Sequence, residues 1–385
     1  MPFKELSIMD QRLEFSKLAS QPGSNLSDLC RRYNITRRTG YKWIERYQSQ
    51  GLAGLTNKSK RPGSFPNQTA EQIEQYVIAL RKKDPEWGAK KLHKIICNHK
   101  EKRLYPHSMV PCKTTITKIL KRNGLISPNR SKLSKSFERF EYDYPNELWQ
   151  MDYKGYFKLL NNRLCHPLTI TDDHSRYNIC LAACEDQKAE TVKQALINVF
   201  RLYGLPYKIL TDNGSPWGPA GAEVNDKTRV YTALEKWLIQ LNVKSIHGRP
   251  YHPQTQGKEE RFHRTLKQEL INYEQFHDHH HCQKRFDNWR DKYNCVRPHE
   301  AIDFKVPVDR YRPSNRSYPE KIIPYEYDQS EIIRKVYNKG IISFKNRKIR
   351  VGQAFIGDYV ALRESQKNNT YDVYFCKVLI RKITL

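Results

Sequence analysis

The chain has 385 residues, with 68 Lys and Arg against 41 Asp and Glu, which gives a formal net charge of +27. This length predicts several domains rather than one. No apolar run approaches the ~18 residues of a membrane-spanning helix, and the first residues lack the apolar segment of a secretion signal, so neither a membrane protein nor a secreted one is expected. Aromatic residues make up 11% of the chain, which argues against wholesale disorder.

The positive charge is concentrated in the first third of the chain. Residues 1–140 hold 29 Lys and Arg against 11 Asp and Glu, whereas the remaining residues hold 39 against 30. A positive field of this size attracts a polyanion. Nucleic acid is the expected polyanion, because its phosphates release counterions when basic side chains neutralise them. The alternative is a basic protein without such a partner, so the motifs have to decide between the two.

The nine cysteines form no CxxC pair, so neither a zinc ribbon nor a thioredoxin-type site is predicted. We expect them to be buried, reduced thiols. The run from His277 to Cys282 has metal-binding residue types but lacks the second ligand pair of a structural zinc site. It is interpreted as the polar surface of a helix, with a metal site as the alternative.

The first segment predicts a helix-turn-helix domain. A helical stripe over residues 7–20 is followed by breaks at 21–24 and 34–35, and Thr36 can cap a third helix. If the aromatic residues of that third helix are buried, its basic face is exposed to solvent. The candidate DNA contacts on this face, suited to phosphates and guanine edges, are Arg37, Arg38, Tyr41 and Lys42. The alternative is a three-helix bundle that contacts protein.

A second helix-turn-helix domain is predicted after a Pro- and Lys-rich linker. Its helices begin near residues 69, 87 and 114. The candidate DNA contacts on its last helix are Lys113, Thr115 and Lys118. Two DNA-reading domains in series suit a long, asymmetric DNA site, and we expect double-stranded DNA as a partner.

The middle of the chain predicts an α/β domain with a mixed sheet. Three strands come first, and helices and strands then alternate. The predicted strands are 149–157, 166–171, 177–182, 207–214 and 243–247, and the predicted helices are 189–203, 234–241 and 256–271.

Three acidic residues fall where this sheet can gather them. Asp152 lies in the first strand, Asp212 ends the fourth strand, and Glu260 lies one turn into the last helix. Carboxylate oxygens favour a hard divalent cation, Mg²⁺ or Mn²⁺. Two such ions ~4 Å apart can stabilise the attacking and the leaving oxygen of an in-line phosphoryl displacement. Each acid alone is weak evidence, because Asp172, Asp173 and other acids lie nearby.

The sequence around these acids resembles the DDE transposase and retroviral-type integrase family, and in particular bacterial insertion-sequence transposases. The matching segments are Trp149-Gln150-Met151-Asp152, Thr211-Asp212-Asn213-Gly214, Tyr251-His252-Pro253-Gln254-Thr255-Gln256-Gly257-Lys258-Glu259-Glu260-Arg261 and Tyr293-Asn294-Cys295-Val296-Arg297-Pro298-His299-Glu300-Ala301. The resemblance implies an RNase H-like core in which Asp152, Asp212 and Glu260 are the catalytic residues and hold two ions of Mg²⁺ or Mn²⁺. It selects Glu260 over Glu259, a choice that physical reasoning on the helix leaves open.

The resemblance also suggests further contacts. Lys267 matches a basic residue of the family and is expected to contact a DNA phosphate, together with Lys258 and Arg264. Asn294, Arg297 and His299 are expected to brace the structure. The gap between Asp212 and Glu260 is longer than is usual for the family, and the Gly- and Pro-rich residues 215–226 are interpreted as an inserted loop. Trp217 in this loop is expected to be buried, with base stacking as the alternative.

The tail predicts five short strands separated by turn residues, which indicates a small SH3-like barrel. It would contact a DNA end or another subunit, or alternatively only stabilise the chain. The fold class is therefore multidomain: all-α, then α/β, then all-β. The predicted order is a helix-turn-helix domain at 1–55, a linker at 56–68, a second helix-turn-helix domain at 69–128, a basic linker at 129–143, an RNase H-like core at 144–315, a connector at 316–337 and a small β-barrel at 338–385.

Together these features predict a DNA transposase that cleaves the ends of a mobile element and joins the 3′-OH ends to target DNA by metal-dependent phosphoryl transfer. Joining two ends at once implies a homo-oligomer assembled on DNA. We expect it in the bacterial cytoplasm, associated with the nucleoid. The alternatives are an RNase H-type nuclease and a DNA-binding regulator derived from an inactive transposase.

Overall fold

The computed structural model describes residues 7–59, 68–98, 110–126, 141–212, 214, 217, 230–248, 257–366 and 369–384. The chain divides into two compact units, Met1–Gln68 and Thr69–Leu385. Most of the predicted basic linker at 129–143 and of the predicted loop at 215–226 lies outside the described residues. In the described part of the chain, no helix is long and apolar enough to cross a membrane.

Three short helices form the first unit, as the sequence predicts. They are α1 (Ile8–Ala19), α2 (Leu26–Arg32) and α3 (Arg37–Gln50). Each begins after a residue whose side chain accepts a hydrogen bond from the first turn, namely Ser7, Asn25 and Thr36. The turn between α2 and α3 takes Asn34 to a φ of 49°, a left-handed conformation that Asn tolerates well.

Gly40 explains how α3 packs so closely in this unit. A Cβ atom at this position would lie 2.6 Å from Sγ of Cys30 and 3.1 Å from Cζ of Phe15. The core formed by Phe15, Cys30, Trp43 and Leu55 therefore leaves room only for glycine. The opposite face of α3 is exposed to solvent.

The second unit begins with three further helices, at the predicted places. They are α4 (Glu71–Lys83), α5 (Ala89–Asn98) and α6 (Lys113–Arg122). Their apolar faces enclose a core that contains Val77, Leu92 and Ile116, each fully buried. This burial leaves the basic residues of α6 on the outer surface.

A mixed sheet forms the centre of the second unit. Its strands are β1 (Leu148–Tyr153), β2 (Phe157–Lys158), β3 (Leu164–Asp172), β4 (Asn178–Cys184), β5 (Lys208–Thr211) and β6 (Lys244–His247). The order is β2-β3-β1-β5-β6, with β4 paired to β3. The first three long strands are antiparallel, whereas β1, β5 and β6 are parallel neighbours. The predicted first strand is interrupted at residues 154–156, so it forms β1 and β2.

Helices cover this sheet. The helices α7 (Ala189–Tyr203) and α8 (Ala233–Gln240) pack on the face that holds Trp149 and Met151. On the other face lie α9 (Gly257–Leu266), a π-helical turn Lys267–Ile271 that continues it, and α10 (His279–Cys295). The sequence predicts α7, α8 and α9, but it predicts α10 only as a polar helix surface, because buried aromatic residues alternate there with many charges.

The last region of the second unit is all-β. Its strands are β7 (Ile332–Lys335), β8 (Ile341–Phe344), β9 (Arg347–Arg350), β10 (Tyr359–Glu364), β11 (Thr370–Phe375) and β12 (Val378–Thr384). They form a four-stranded antiparallel sheet, β12-β11-β10-β7, and a hairpin of β8 and β9. Five of these strands are predicted from the sequence. The edge strand β7 is missed because all four of its residues are exposed and so lack a buried, alternating pattern.

The cysteines are all unpaired thiols. Six are buried as predicted, whereas Cys97 is half-buried and Cys112 and Cys295 are exposed, so the prediction of burial is wrong for these three. Cys112 precedes α6, and the hydroxyl groups of Thr114 and Thr115 lower its pKa to about 6.

Candidate active site

Asp152 lies near the end of β1, in the middle of the sheet. Trp149, Met151 and Tyr153 all face the core beneath α7, so strand alternation turns Asp152 to the opposite face. Asp152 pairs with Thr169 of β3, and the hydroxyl group of Thr169 donates a hydrogen bond to the backbone oxygen of Asp152 at 3.0 Å. The central strands therefore fix the position of this backbone.

Asp212 follows β5, the parallel neighbour of β1. Gln150 pairs with Leu210 in this register. Two positions further along each chain segment, on the same face, come Asp152 after β1's Gln150 and Asp212 after β5's Leu210. Parallel strands end at the same edge of a sheet. The backbone N–H of Gly214 donates to Oδ1 of Asp212 at 3.0 Å, and a Cβ atom at Gly214 would lie 3.2 Å from Oδ2. The glycine thus leaves room for the carboxylate.

Glu260 approaches from the first turn of α9 and is exposed to solvent. Burial raises the pKa of Asp152 to about 7, and the negative charges of Asp212 and Glu260 add to this rise. The three predicted acids therefore lie within electrostatic reach of one another. Across the described residues, no three His, Cys, Asp or Glu side chains are already arranged as a set of metal ligands.

The donor chemistry fits a divalent cation. A half-buried carboxyl group that is destabilised by two other carboxylates is stabilised when a cation neutralises all three. Oxygen ligands of this kind suit Mg²⁺ or Mn²⁺. A cation would thus relieve the repulsion that raises the pKa of Asp152.

The neighbouring Glu259 has a different environment from Glu260. Its side chain is 1% exposed, and its Oε2 lies 3.0 Å from the hydroxyl oxygen of Thr169. Burial raises the pKa of Glu259 to about 8, although hydroxyl groups of Thr171 and Thr169 partly oppose the rise. Asp152 also contributes to this rise. Glu259 therefore lies beneath the acid cluster, whereas Glu260 is open to solvent.

His263 completes this buried layer. Its Nε2 lies 2.8 Å from the hydroxyl oxygen of Thr169, one helical turn from Glu259. Burial and the positive charge of Lys154 lower the pKa of His263 to about 3, so the ring is neutral. Neither Thr169 nor His263 is among the residues predicted from the sequence. The spacing of four residues between Glu259 and His263 could have indicated His263, whereas Thr169 is brought to the site only by tertiary structure.

Two nearby acids prove to be structural. Asp172 accepts hydrogen bonds from the backbone N–H groups of Asn146 at 2.7 Å and Ser175 at 2.8 Å. Asp173 accepts a hydrogen bond from Nε2 of Gln150 at 2.6 Å and forms an ion pair with Lys258. Burial lowers the pKa of Lys258 to about 8. Its ammonium group thus pairs with Asp173 inside the protein, and the contact of Lys258 with DNA stays a prediction.

The other basic candidates are at the surface. Arg264 and Lys267 are exposed, on α9 and on the turn that follows it. Burial, and then the charge of Lys267, lowers the pKa of Lys154, so these two cations lie near each other. Lys154 is two residues after Asp152, just past the end of β1, and is not among the residues predicted from the sequence.

The helix-turn-helix candidates are also accessible. On α3 all four candidates are exposed, and Arg37 also donates to Oγ of Ser27 at 2.8 Å. On α6, Lys113 and Lys118 are exposed and Thr115 is half-buried. The ammonium group of Lys113 lies 5.8 Å from the ring centre of Phe304.

Trp217 is buried, as expected. It is 3% exposed and stacks on Tyr153 with ring centres 5.5 Å apart.

The residues predicted to brace the structure also lie inside the protein. Asn294 exchanges hydrogen bonds with the backbone of Asn178 at 2.8 and 3.0 Å.

The braces Arg297 and His299 meet at the end of α10. Arg297 donates to Glu269 at 2.9 Å, and Glu269 also lies 3.7 Å from the ammonium group of Lys91 on α5. Nη1 of Arg297 lies 3.1 Å from Nε2 of His299. The shared carboxylate joins the second helix-turn-helix to the core.

The run from His277 to Cys282 leads into α10, which begins at His279. Asp278 caps the helix by accepting from the N–H of His281 at 2.8 Å, and Cys282 is fully buried 3.9 Å from Sγ of Cys165. The polar-helix interpretation is confirmed except for the buried Cys282, and no metal-binding group includes these residues in the described part of the chain.

The sequence matches five known family profiles. Residues 143–253 and 241–307 match two profiles described as "Integrase core domain". Residues 11–63 match a "Helix-turn-helix domain", and residues 39–120 match a "Homeodomain-like domain". Residues 331–385 match "IS481 family transposase, C-terminal domain".

Curated relatives extend over most of the chain. The transposase for transposon Tn552 of Staphylococcus aureus is 26% identical over 385 aligned residues, which cover 88% of this chain and 75% of that protein. An uncharacterized 39.2 kDa protein of insertion element IS476 of Xanthomonas euvesicatoria is 24% identical over 304 residues, covering 77% of this chain and 80% of that protein.

Solved structures with a weak likeness include the HTLV-2 integrase catalytic core domain in complex with magnesium, which is 16% identical, with a TM-score of 0.33 over 44% of this chain and 99% of that one. The simian T-cell lymphotropic virus intasome gives 16% identity and a TM-score of 0.37 over 75% of this chain and 99% of that one. Scores this low carry no argument, so the assignment depends on the sequence matches. Those matches support a DDE-type insertion-sequence transposase, with a catalytic core of the integrase type.

Proposed function

We propose that this transposase cleaves the ends of its mobile element and joins the freed 3′-OH groups to target DNA, using Asp152, Asp212 and Glu260 as its catalytic acids. The observation that carries the proposal is the convergence of these side chains. The β1–β5 register sets the two aspartates side by side, and burial, followed by the charges of Asp212 and Glu260, raises the pKa of Asp152 to about 7.

The same three acids are proposed as the residues that hold two divalent ions, Mg²⁺ or Mn²⁺. When bound, such ions polarise phosphate oxygens and activate a water molecule or a 3′-OH group as the nucleophile. Asp152 would contribute a carboxylate from a strand whose backbone is held by Thr169, and Glu260 would contribute one from the solvent-exposed side of α9. The family's requirement for a divalent metal fits this donor set.

Basic residues around the acids would hold the DNA phosphates. Lys154, Arg264 and Lys267 lie beside the acid cluster or on the helix that carries Glu260. Neutralised phosphates position the scissile bond without reading its sequence. The candidates on α3 and α6, Arg37, Arg38, Tyr41, Lys42, Lys113, Thr115 and Lys118, would recognise the element ends, since an exposed basic helix of a helix-turn-helix suits the major groove.

The assembly would contain at least two copies on DNA, because two element ends are joined in one reaction. We further propose that residues 338–385 form a small SH3-like barrel that contacts a DNA end or a second copy, and that the domain boundaries are those predicted from the sequence. Because the proposed substrate is chromosomal DNA, we also propose that the protein acts in the bacterial cytoplasm, associated with the nucleoid.

A strand-transfer assay tests the proposal. The substrate is a labelled duplex taken from the DNA flanking the coding region, offered with plasmid target and Mg²⁺ or Mn²⁺. We expect the 3′-OH end of the labelled duplex to become joined to the plasmid. No joined products should form in EDTA or with Asp212→Asn, and Asp212→Asn should still bind the duplex. The exposed Asp143→Asn is the matched control and should remain active.

The outcomes separate the alternatives. Cleavage of RNA–DNA hybrids without strand transfer would indicate an RNase H-type nuclease. Specific DNA binding without any cleavage, in either metal, would indicate a regulator derived from a transposase. Cleavage by Asp212→Asn at the wild-type rate would refute the assignment of the acids.

A further inference from the structure

A buried glutamate lies close to Asp212 and has no part in the proposed chemistry. Glu235 is in the first turn of α8 and is 2% exposed. Its Oε2 accepts a hydrogen bond from the backbone N–H of Thr232 at 2.9 Å, while the hydroxyl oxygen of Thr232 accepts one from the N–H of Glu235 at 3.2 Å. This reciprocal cap uses only one carboxylate oxygen.

The other oxygen of Glu235 contacts His247. Its Oε1 lies 2.9 Å from Nε2 of His247, the last residue of β6. The second ring nitrogen, Nδ1, lies 3.0 Å from the backbone oxygen of Asp212. His247 is paired with Thr211 in the β5–β6 register, so the ring is next to the strand end from which Asp212 follows. The imidazole ring thus bridges the Glu235 carboxylate on α8 and the backbone of Asp212.

The helix that carries Glu235 is itself fixed from its other side. Lys236 forms an ion pair with Asp358 of the C-terminal β region at 2.9 Å, and Ile239 belongs to the apolar core of that region. Tyr231, just before the helix, contacts the ring of Phe355 with centres 5.4 Å apart. The position of Glu235 is therefore held by packing that is independent of Asp212.

We propose that His247 is a positioning residue that holds the backbone of Asp212, and through it the Asp212 carboxylate, at the place the catalytic acids require. The catalytic part of this inference rests on the proposed function. A buried carboxylate is unfavourable unless it is paired, and His247 pairs it while bonding to Asp212. A displacement of about 1 Å at a catalytic group can lower a rate about a hundredfold, so this restraint matters for cleavage.

Two substitutions at His247 separate positioning from general stability. The side-chain nitrogen of Asn lies close to where Nδ1 of His lies, so His247→Asn keeps a donor for the Asp212 carbonyl. The nitrogen of Gln extends to where Nε2 lies, so His247→Gln keeps the contact with Glu235 but not the one with Asp212. Lys244→Gln, an exposed change on the same strand, is the control. Glu235→Gln retains an acceptor and serves as the conservative variant.

The readout that does not depend on catalysis is amide hydrogen exchange at Gly214, whose N–H is bonded to the Asp212 carboxylate. We expect exchange about tenfold faster in His247→Gln, and within about twofold of wild type in His247→Asn, Glu235→Gln and Lys244→Gln. Unchanged exchange in His247→Gln, or equal acceleration in Lys244→Gln or His247→Asn, would overturn the proposal.

Cleavage is measured on the same four variants. We expect the rate at saturating metal to fall at least tenfold in His247→Gln, with duplex binding unchanged. If wild type cleaves nothing, the proposed function fails, and the exchange experiment alone decides whether His247 positions Asp212. If wild type cleaves and His247→Gln cleaves equally fast, the positioning inference is wrong while the proposed function stands.

Discussion

Replacing Asp152 with Asn should stabilise the metal-free protein at alkaline pH. Asp152 is half-buried, and in the folded protein its pKa rises from 3.8 to about 7, first because of burial and then because of the charge of Asp212. Asn has nearly the same shape and carries no charge. The variant therefore removes the repulsion but keeps the packing of β1.

The magnitude follows from the change in pKa. About three pH units correspond to roughly 4 kcal/mol as an upper limit, at about 1.4 kcal/mol per unit. Residual solvent access to Asp152 screens the charges, so we expect about 2 kcal/mol. A raised carboxyl pKa means that the folded state binds the proton more tightly than the unfolded chain does. The free energy of unfolding of wild type therefore falls as pH rises from about 4 to about 7, and the full difference between the proteins is present above pH 7.

Urea denaturation in EDTA, followed by circular dichroism at pH 4.5 and pH 8, measures this difference. At pH 4.5 the variant should exceed wild type by only about a quarter of the difference expected at pH 8, because the Asp152 carboxyl is still protonated in the folded state but largely ionised in the unfolded chain. Added Mg²⁺ should then stabilise wild type by ~1.4 kcal/mol when its concentration is ten times the dissociation constant, and should not stabilise Asp152→Asn.

The exposed Asp143→Asn removes the same charge from the surface and should behave as wild type at both pH values. A variant Asp152→Asn that is no more stable than wild type at pH 8, or that still gains stability from Mg²⁺, would refute the reasoning that three acids repel one another at a cation site.

Three further changes have expected outcomes. Gly214→Ala adds a Cβ atom 3.2 Å from Oδ2 of Asp212, so we expect roughly tenfold slower strand transfer with unchanged thermal unfolding; an equal rate would mean that the carboxylate tolerates the methyl group. Glu269→Ala leaves the buried Arg297 without its carboxylate, so the free energy of unfolding should fall by about 3–5 kcal/mol, measured in urea. Arg38→Ala on the exposed face of α3 should weaken binding to end DNA and reduce the slope of log affinity against log salt by about one, measured by fluorescence anisotropy; an unchanged slope would exclude a phosphate contact there.

The helices of the two helix-turn-helix domains could be predicted because their signals are local. Thr36 caps α3 through its own side chain, and Asn34 supplies the left-handed turn before it. The strands β3 and β4 are likewise visible as short segments rich in Leu, Ile and Thr between turn residues. By contrast, only the start of α10 is predicted as helix and β7 is not predicted, because charges interrupt the apolar pattern of α10 and every residue of β7 is exposed.

The roles of individual polar residues were harder to predict. Lys258 stands in the motif that suggests a DNA contact, yet its ammonium group pairs with the buried Asp173. Thr169 and His247 carry no local signal for these roles, since the contacts join residues at least 12 positions apart in the sequence. Sequence spacing cannot distinguish such residues from ordinary core or surface positions.

By itself, the sequence determined the order of the domains, the basic front of the chain, most helices and strands, and the identity of the three acids as the candidates for a cation site. These depend on composition, on local periodicity and on motifs that lie within a few consecutive residues. The tertiary structure alone decided that β1 and β5 are parallel neighbours, so that Asp152 and Asp212 share an edge, and that Glu259 is buried while Glu260 is exposed. The reason is physical: strand register and burial are set by packing between distant segments, whereas a linear pattern records only what lies within one helix or one strand.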